Sequence, residues 1–372
     1  MLYFTSVVLA PLAILLLISY VNIIWGPQLS QSGAVRKRVK VSLLVPARNE
    51  ANNISRCLES LVRQEYTGLE ILVLDDRSED NTAELVAGYA SRYPNLTLIR
   101  GEELPPGWTG KNWACHQLSQ RADGDLLIFT DADNWHTPDA VTRTVAWMQL
   151  TGLGVFSAFP QQITRTLPEK LLVPMIDVIL YSSLPLPAVT KYSAPSLSAA
   201  NGQWLAFTRE AYQSLGGHQA VRSEVVEDVQ LARKSKEYGI RTMTAAGTGV
   251  VFARMYRTLQ ETWEGMAKIM FGLTGYRSAV FWIAVPMVFL MAVAPYVLIW
   301  FRSLALLAGM AVAVNVLIRG GLALRYRHPV VLSVLLHPLA VLVTLMICLD
   351  SYRRIRKGVI RWKGRDIVLT SA

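Results

Sequence analysis

The chain has 372 residues, 52% of them hydrophobic, and its mean hydropathy of +0.30 is too high for an ordinary soluble protein of this length. The formal net charge of +10 is compatible with a nucleic-acid partner, but most of the excess basic residues lie beside apolar segments. Basic clusters in such places are expected next to membrane spans, where they face anionic lipid. We therefore expect a membrane protein with no nucleic-acid partner.

Four apolar blocks divide the chain. Residues 2–24 carry no charge and are long enough to cross about 30 Å of hydrocarbon as a helix. They lack the basic start and the cleavage site of a secretory signal, so we expect a retained anchor. Three further blocks lie near the C-terminus, at residues 279–301, 304–318 and 330–349. The sequence thus predicts four regions: an anchor at 1–25, a globular domain at 38–275, a membrane cluster at 278–350 and a basic tail at 351–372.

The positions of the basic residues predict the orientation. They follow the first and the last apolar block: Arg36, Lys37, Arg38 and Lys40, then Arg353, Arg354, Arg356, Lys357, Arg361, Lys363 and Arg365. By the positive-inside rule, the globular domain faces the cytoplasm from the inner cell membrane. Three complete C-terminal spans would place the tail on the opposite side. We therefore expect one block not to cross, and 330–349, interrupted by His337-Pro338, is the candidate for a re-entrant segment.

The globular domain alternates predicted strands with predicted helices. The strands lie at 39–46, 70–74, 96–99 and 126–130, and the helices at 51–64, 78–89, 112–120 and 138–149, with Asn49 as the expected cap of the first helix. This alternation predicts an α/β fold with a mostly parallel sheet covered on both faces. Right-handed crossovers then bring the loops after the strands to one edge of the sheet.

Polar residues collect at that edge, at 46–50, 75–77 and 131–133. Asp131 and Asp133 follow a buried strand, where Mg²⁺ or Mn²⁺ can bridge carboxylates to a diphosphate. The alternative is that the Asp-Ala-Asp segment only caps the next helix. No Gly-x-Gly-x-x-Gly or P-loop pattern follows the first strand, which disfavours a dinucleotide-binding or ATP-cleaving enzyme.

Four ordered motifs carry a family resemblance. They are VPARNE at 45–50, LDDRSEDNT at 74–82, FTDAD at 129–133 and VEDVQL at 226–231. In this order and spacing they resemble the inverting family 2 glycosyltransferases over about residues 40–270. PPGWTGKNWA at 105–114 and RWKGR at 361–365 are similar to a membrane-bound branch that glycosylates carotenoids and other hydrophobic lipids, distantly like ceramide glucosyltransferase. The resemblance implies a GT-A, Rossmann-like catalytic domain with transmembrane helices at both ends of the chain.

The resemblance also implies roles for the residues of the donor site. Asp76 would hold the uracil or ribose of a nucleotide sugar, with Pro46 and Glu50 shaping the pocket, although Asp76 could also be an ordinary turn residue. Asp131 would bind the nucleotide and Asp133 the metal, which offsets the charge of the departing diphosphate. Lys111 lies at a helix start where backbone amides and a cation can hold phosphate, unless it is simply a solvated lysine.

Glu227 and Asp228 open a predicted helix at 229–238. By resemblance, Glu227 belongs to the donor site and Asp228 is the general base, which takes the proton of the acceptor oxygen. Acids at a helix start can instead serve only as caps. A carboxylic acid acceptor, already ionised at neutral pH, would not need the base.

The expected activity is the inverting, metal-dependent transfer of one hexose, from UDP-glucose, to a hydroxyl or carboxyl of a membrane lipid, with a carotenoid favoured. Other lipids remain open as acceptors: a hopanoid, diacylglycerol, ceramide or polyprenyl phosphate. A processive polysaccharide synthase is the second alternative, and a transporter or a lipid-binding module is the third. The Gln-x-x-Arg-Trp motif of processive members is missing, and Lys268 is the nearest cation in the corresponding stretch, 263–269.

Four features remain without a fixed role in the sequence. The helical stripe Trp263, Met266, Ile269, Met270 and Leu273, and the segment 171–189, could each lie at the membrane interface or pack in a core. His218 is expected to be a hydrogen-bonded structural histidine rather than a metal ligand. The three cysteines show neither metal-ligand spacing nor a disulfide pattern.

Overall fold

The computed structural model describes residues 5–358, 360–362 and 365–367. The strands are β1 Val41–Ala47, β2 Leu69–Asp75, β3 Leu96–Arg100, β4 Leu126–Phe129, β5 Asn134–His136, β6 Val155–Phe159, β7 Gln161–Gln162, β8 Leu205–Thr208, β9 Thr242–Ala246, β10 Val251–Ala253, β11 Ile360–Trp362 and β12 Arg365–Ile367. Strands β11 and β12 pair with each other, whereas Lys363 and Gly364 of the RWKGR motif lie outside the described residues.

The longest helices lie near the two ends of the chain. The helices are α1 Ala10–Trp25, α2 Ile54–Val62, α3 Thr82–Ala90, α4 Gly110–Arg121, α5 Ala140–Thr151, α6 Leu167–Leu172, α7 Pro174–Ser183, α8 Leu186–Lys191, α9 Arg209–Ser214, α10 Glu227–Glu237, α11 Leu259–Ile269, α12 Ser278–Ala292, α13 Ala294–Leu298, α14 Ala305–Tyr326, α15 Val330–Leu335 and α16 His337–Arg356.

The main sheet has seven strands in the order β3-β2-β1-β4-β8-β6-β9. Strands β3, β2, β1 and β4 are parallel, and β8 is antiparallel to both of its neighbours. Alternate residues of β1 enter different cores: Leu43 and Val45 pack on one face of the sheet and Leu44 on the other. Both faces are therefore covered, as the continuous apolar strands require. The predicted mostly parallel sheet is confirmed.

The strand register brings the polar loops together. Ala47 at the end of β1 lies opposite Asp75 at the end of β2, and Phe129 at the end of β4 pairs with Leu44 of β1. The small sheet β5-β10-β7 begins directly after Asp133. The carboxyl ends of β1, β2 and β4 therefore form one edge of the main sheet.

The expectation that Asn49 caps the first helix is wrong. Helix α2 begins at Ile54, preceded by Asn53, and Asn49 has a positive φ of 52°. The Asn49 side chain instead accepts a hydrogen bond from the backbone N–H of Glu79 at 2.8 Å. Asn tolerates this left-handed conformation, so here it braces the loop after β1 against the loop after β2.

By length and composition, three helical segments among the described residues could each cross a membrane: Val7–Trp25, Ser278–Leu298 and Ala305–Tyr326. They match the first three apolar blocks. The fourth block is divided between α15 and α16, which meet at Leu336, and the last turns of α16 carry Asp350 and three arginines. The interruption predicted at His337-Pro338 is therefore present, and α16 runs on to Arg356.

The apolar helices pack on the globular domain through buried polar contacts. The amide of Asn22 on α1 donates to the carbonyl oxygens of Tyr181 and Leu184 at 2.7 and 2.8 Å, and its oxygen accepts from the N–H of Leu186 at 2.8 Å. Tyr181 also stacks on Tyr326 of α14, with 3.8 Å between ring centroids. The segment 171–189 is therefore a packing element between the domain and the apolar helices.

Helix α11 is joined to the C-terminal helix α16 in a similar way. Met266 and Met270 are buried in one cluster with Ile347 of α16. The indole N–H of Trp263 donates to Asp350 at 2.7 Å. Leu273, at the end of the stripe, is 52% exposed. Core packing, one of the two alternatives for this stripe, therefore accounts for most of it.

Candidate active site at the carboxyl edge of the sheet

A lysine and two carboxylates meet where β4 ends and where α4 and α10 begin. The ammonium of Lys111 lies 2.9 Å from Asp131 and 3.1 Å from Glu227. Burial alone would lower the pKa of Lys111, but the negative charges of Asp131 and Glu227 raise it well above its ordinary value. Lys111 is therefore a permanent cation at this edge.

Local structure holds the start of α4 in this place. The hydroxyl of Thr109 caps α4 by accepting from the N–H of Asn112 at 3.3 Å. The buried amide of Asn112 donates to the carbonyl oxygens of Val221, Arg222 and Glu224, at 2.7, 3.2 and 3.0 Å. Because this segment leads directly into α10, the same contacts fix Lys111 relative to Glu227.

Asp228 lies in the first turn of α10, beside this cluster. Its carboxylate accepts hydrogen bonds from the N–H of Gly202 at 2.9 Å and from the N–H of Val229 at 2.8 Å. Burial and the neighbouring Glu227 raise its pKa to about 6, although Lys111 and the two N–H groups oppose this rise. Asp228 is thus ionised at neutral pH and is a stronger base than an ordinary aspartate.

The other acids predicted for the metal and donor site gather around a buried thiol. The Sγ atom of Cys57 on α2 lies 3.9 Å from the backbone oxygen of Asp131. Burial, followed by the charges of Asp133, Glu50 and Asp131, raises the pKa of this thiol far above its ordinary range. Glu50, Asp131 and Asp133 therefore all lie within electrostatic reach of Cys57.

The donor atoms at this turn suit a hard divalent cation. Within the described part of the chain, no group of three or more His, Cys, Asp or Glu residues is arranged to hold a metal by itself. Mg²⁺ is commonly held by one or two carboxylates together with substrate phosphates and water. Asp131 and Asp133 offer carboxylate oxygens of this kind, so the residues present fit such an ion.

The loops after β1 and β2 form the other half of the edge. The guanidinium of Arg48 donates to the backbone oxygens of Asp76 and Arg77 at 2.7 and 3.1 Å. The N–H of Glu50 donates to the hydroxyl of Thr82 at 2.8 Å. Asp76 is only 4% exposed, and Pro46 lies in β1 beside Leu74. The residues predicted to hold the nucleoside therefore sit at the β1–β2 end, and those predicted to handle phosphate sit at the β4 end.

The structure places Gly202 at the site, and sequence reasoning missed it. A Cβ atom there would lie 2.8 Å from the ammonium of Lys111 and 3.7 Å from a carboxylate oxygen of Asp228. The Asn201-Gly202 dipeptide is a turn signal, but turns are too common for that signal to mark a site.

Lys268, noted in the sequence only as the nearest cation, also faces the cluster. It is partly buried on α11. Burial lowers its pKa to about 8, while Glu227, Asp131 and Asp228 act to raise it and Lys111 to lower it. Lys268 therefore brings a second positive charge to the carboxylates, from the helix that packs on α16.

His218 has the structural role expected of it. It is 2% exposed, its Nδ1 lies 2.8 Å from the hydroxyl of Tyr212, and its ring packs against Phe129. Burial lowers its pKa to about 3, so the ring is neutral at physiological pH.

The chain is similar in sequence to known glycosyltransferases. The sequence model of the family described as Glycosyl transferase family 2 matches residues 42–214. A 4,4'-diaponeurosporenoate glycosyltransferase from Staphylococcus haemolyticus is 29% identical over 237 residues, which is 60% of this chain and 60% of that protein. The enzyme of the same name from Staphylococcus aureus strain USA300 is 24% identical over 351 residues, which is 88% of each protein.

A solved structure shares the fold over nearly the whole length. The mannosyltransferase from Pyrobaculum calidifontis in complex with GDP-Man and Mn²⁺ is 21% identical, with a TM-score of 0.56, and the match covers 93% of this chain and 97% of that one. Residues 42–214 therefore match the family 2 glycosyltransferases in sequence, the fold is of the GT-A type, and the chain resembles the carotenoid glycosyltransferases.

Proposed function

We propose that the chain transfers one hexose, from UDP-glucose, with inversion to a hydroxyl or carboxyl group of a lipid in the membrane. The observation that carries this proposal is the meeting of Lys111, Asp131, Glu227 and Asp228 at the carboxyl edge of the sheet. Ligands of open α/β sheets bind at this edge. The apolar helices packed on the same domain, three of which are long enough to cross a membrane, would give such a site access to a lipid.

The donor would lie along the edge from β2 to β4. Asp76, with Pro46 and Glu50, would hold the nucleoside. Lys111, which is paired with Asp131 and Glu227 in the free protein, would move its charge toward the diphosphate. Asp133, aided by Asp131, would hold Mg²⁺ or Mn²⁺. Such a metal, when bound, offsets the negative charge that develops on the departing diphosphate.

Asp228 would act on the acceptor. As the acceptor oxygen attacks the anomeric carbon, the bond from that carbon to the diphosphate oxygen breaks and its electron pair leaves with the nucleoside diphosphate. A hydroxyl acceptor gives its proton to Asp228 in the same step. A carboxylate acceptor has no proton to lose at neutral pH, so Asp228 would matter much less for it.

A carotenoid is the favoured acceptor. The names of the two Staphylococcus relatives support this choice, since each acts on 4,4'-diaponeurosporenoate. Hopanoid, diacylglycerol, ceramide and polyprenyl phosphate are the alternative lipids. A processive synthase is disfavoured because the stretch 263–269 lacks the Gln-x-x-Arg-Trp motif.

A transporter would need charged groups along its spans. Arg319 and Arg325 both lie in the candidate span Ala305–Tyr326. Arg319 donates to the backbone oxygen of Ser333, and the guanidinium of Arg325 lies against the side-chain amide of Gln28. Both arginines therefore join packed segments, which favours a scaffold role for this helix over a transport path.

In the proposed orientation, the protein lies in the inner cell membrane and its catalytic domain faces the cytoplasm. If Val7–Trp25 crosses inward and Ser278–Leu298 and Ala305–Tyr326 cross out and back, the domain and the basic tail share one side. A non-crossing α16 resolves the conflict that three C-terminal spans would create under the positive-inside rule.

The proposed activity is tested on membranes from cells that express the chain or its Asp228→Asn variant. The membranes are incubated with radiolabelled UDP-glucose, UDP-GlcNAc or GDP-mannose, and the extracted lipids are separated. We expect label from UDP-glucose to enter a carotenoid once per acceptor. Label in a long polymer, or label only in another lipid, would overturn the assigned product.

A further inference from the structure

A buried polar network lies beneath the candidate active site. Its central members are Thr130, Asn134, His136 and Gln203, which are between 0 and 6% exposed. Buried polar groups cost free energy unless they are hydrogen-bonded, and fully satisfied networks hold their members in one arrangement. Thr130 and Asn134 immediately flank the turn 131–133, so this network touches the segment that carries Asp131 and Asp133.

Gln203 is bonded to both flanks of that turn. Its backbone oxygen accepts from the hydroxyl of Thr130 at 2.9 Å and from the amide of Asn134 at 2.6 Å. Its side-chain amide donates back to the oxygen of Asn134 at 3.1 Å. The two amide residues therefore clasp each other reciprocally, through main chain and side chain.

The same short loop also holds the proposed base. The N–H of Gln203 donates to the side-chain oxygen of Asn201 at 2.9 Å, and the N–H of Asn201 donates to Ser157 at 2.8 Å. Between them, the N–H of Gly202 donates to Asp228 at 2.9 Å. One tripeptide, 201–203, thus bonds the turn 131–133 on one side and Asp228 on the other.

We propose that Gln203 is a positioning residue that couples the donor-binding turn 131–133 to Asp228, and that Gly202 transmits this coupling through its N–H. The proposal rests on the proposed function for the meaning of the two sites. The distance between the bound diphosphate and Asp228 determines whether an acceptor can reach the anomeric carbon and the base at the same time. A clasp that sets this distance before binding lowers the entropic part of the barrier.

The network itself does not titrate in the working range. Burial lowers the pKa of His136 to about 3, so its ring stays neutral while it bonds Thr130 at 3.1 Å and Ser60 at 3.2 Å. The charged groups that face Asp228 are Glu227 on its own helix, Lys111 on α4 and Lys268 on α11. Because His136 stays neutral, a shift in the titration of Asp228 in a Gln203 variant does not come from a charge on His136.

The test compares Gln203→Met with Trp204→Phe. Gln203→Met keeps the side-chain volume and removes the side-chain bond to Asn134, together with the bond that the Gln203 side chain accepts from Gln162 at 3.3 Å, while the backbone bonds of Gln203 remain. Trp204→Phe removes an equally buried hydrogen bond made by the next residue, in which the indole N–H of Trp204 donates to the hydroxyl of Thr144 at 2.9 Å. Thr144 lies on α5 and not at the turn 131–133. If Gln203→Met does not fold, Gln203→Glu preserves the length while a carboxylate oxygen replaces the donor to Asn134.

Two readouts follow the titration of Asp228. In glycosyl transfer to a hydroxyl acceptor, we expect kcat to fall about tenfold in the Gln203 variant, since small misplacements of reacting groups are costly. We also expect the acid limb of the kcat–pH profile to move to higher pH. A weaker hydrogen bond from the N–H of Gly202 lowers the pKa of Asp228 by less than in the wild-type protein. Trp204→Phe should keep the wild-type limb even if it melts earlier.

The second readout needs no activity. The pKa of Asp228 is raised in the folded state, so its stabilising contribution is complete below its ordinary value of 3.8 and is lost as pH rises through about 6. Thermal unfolding of the donor-free protein in detergent should show this loss at higher pH in the Gln203 variant, and no such loss in Asp228→Asn. An unchanged limb and an unchanged unfolding profile in the Gln203 variant, or equal shifts in Trp204→Phe, would overturn the proposal. Absence of transfer by the wild-type protein would overturn only the proposed function.

Discussion

At the scale of single residues, Asp228 combines two properties that a catalytic base needs. Its burial raises the pKa to about 6, and hydrogen bonds from Gly202 and Val229 hold its carboxylate in one orientation. Its place in the first turn of α10 also favours a negative charge through the helix dipole. The capping and catalytic interpretations therefore describe the same position and do not compete.

Replacing Asp228 with Asn should lower turnover with a hydroxyl acceptor by about 10²- to 10⁴-fold, the usual contribution of a general base. In the wild-type enzyme, activity should rise as pH passes through about 6, because the base must be deprotonated. Initial rates between pH 5 and 8 measure both effects. A carboxylate acceptor is the internal control, since its rate should fall far less; equal losses on both acceptors would argue for a structural role.

Gly202 is the residue whose substitution should reveal the crowding at the cluster. In Gly202→Ala, the new methyl group would lie 2.8 Å from the ammonium of Lys111, which must then shift from its place between Asp131 and Glu227. We expect turnover to fall by about tenfold or more. The matched control is Gly88→Ala on α3, where no atom lies within 4 Å and stability should rise by about 0.4 to 1 kcal/mol. Equal activities of the two variants would contradict the geometry.

The metal prediction belongs to Asp133. Asp133→Ala should abolish turnover that depends on Mg²⁺ or Mn²⁺ while the protein still inserts into membranes, because the loss is local to the turn 131–133. Activity is measured with each metal and with excess chelator. Full wild-type activity in chelator would remove the metal from the mechanism and leave Lys111 as the cation at the diphosphate.

At the scale of elements, the contact between α1 and the segment 171–189 depends on one buried amide. Asn22→Leu should remove three hydrogen bonds to Tyr181, Leu184 and Leu186 and leave buried backbone groups without partners. Each unsatisfied group costs about 1 to 3 kcal/mol, so we expect clear destabilisation. Thermal unfolding in detergent measures it. Tyr20→Phe, at a 40% exposed position of the same helix, should change little.

The helices and strands themselves were largely predictable, and the exceptions have a local cause. Strand β4 is fully buried, so its apolar run was unambiguous. The start of α2 was misplaced because Asn49 has the residue type of a helix cap, yet a bond to Glu79 on another loop decides its conformation. The sequence also left open whether the apolar stripe that begins on α11 packs in a core, because Ile347, which covers it, lies on the distant helix α16.

At the scale of the whole molecule, the proposed membrane spans predict which side of the membrane the globular domain faces. Glu103 has an 89% exposed side chain on the globular domain, so Glu103→Cys is a suitable labelling site. Cys57 and Cys115 are buried, and replacing Cys348 with Ser removes the remaining native thiol of intermediate exposure. In intact cells, an impermeant maleimide should label this variant only after the inner membrane is opened. Labelling from outside would reverse the orientation.

Features that depend on residues close together along the chain can be predicted from the amino-acid sequence. These are the apolar blocks, the alternation of strands and helices, and the acids that follow β2 and β4, because strand ends of a parallel sheet necessarily share an edge. Contacts between groups that are distant along the chain become visible only in the folded structure. The pairing of Lys111 with Glu227, the closeness of Gly202 to both Lys111 and Asp228, and the clasp between Asn134 and Gln203 all join segments far apart in sequence. Periodicity and local propensity carry no information about such distances; the packing of α4, α10 and the loop 201–203 against one sheet sets them.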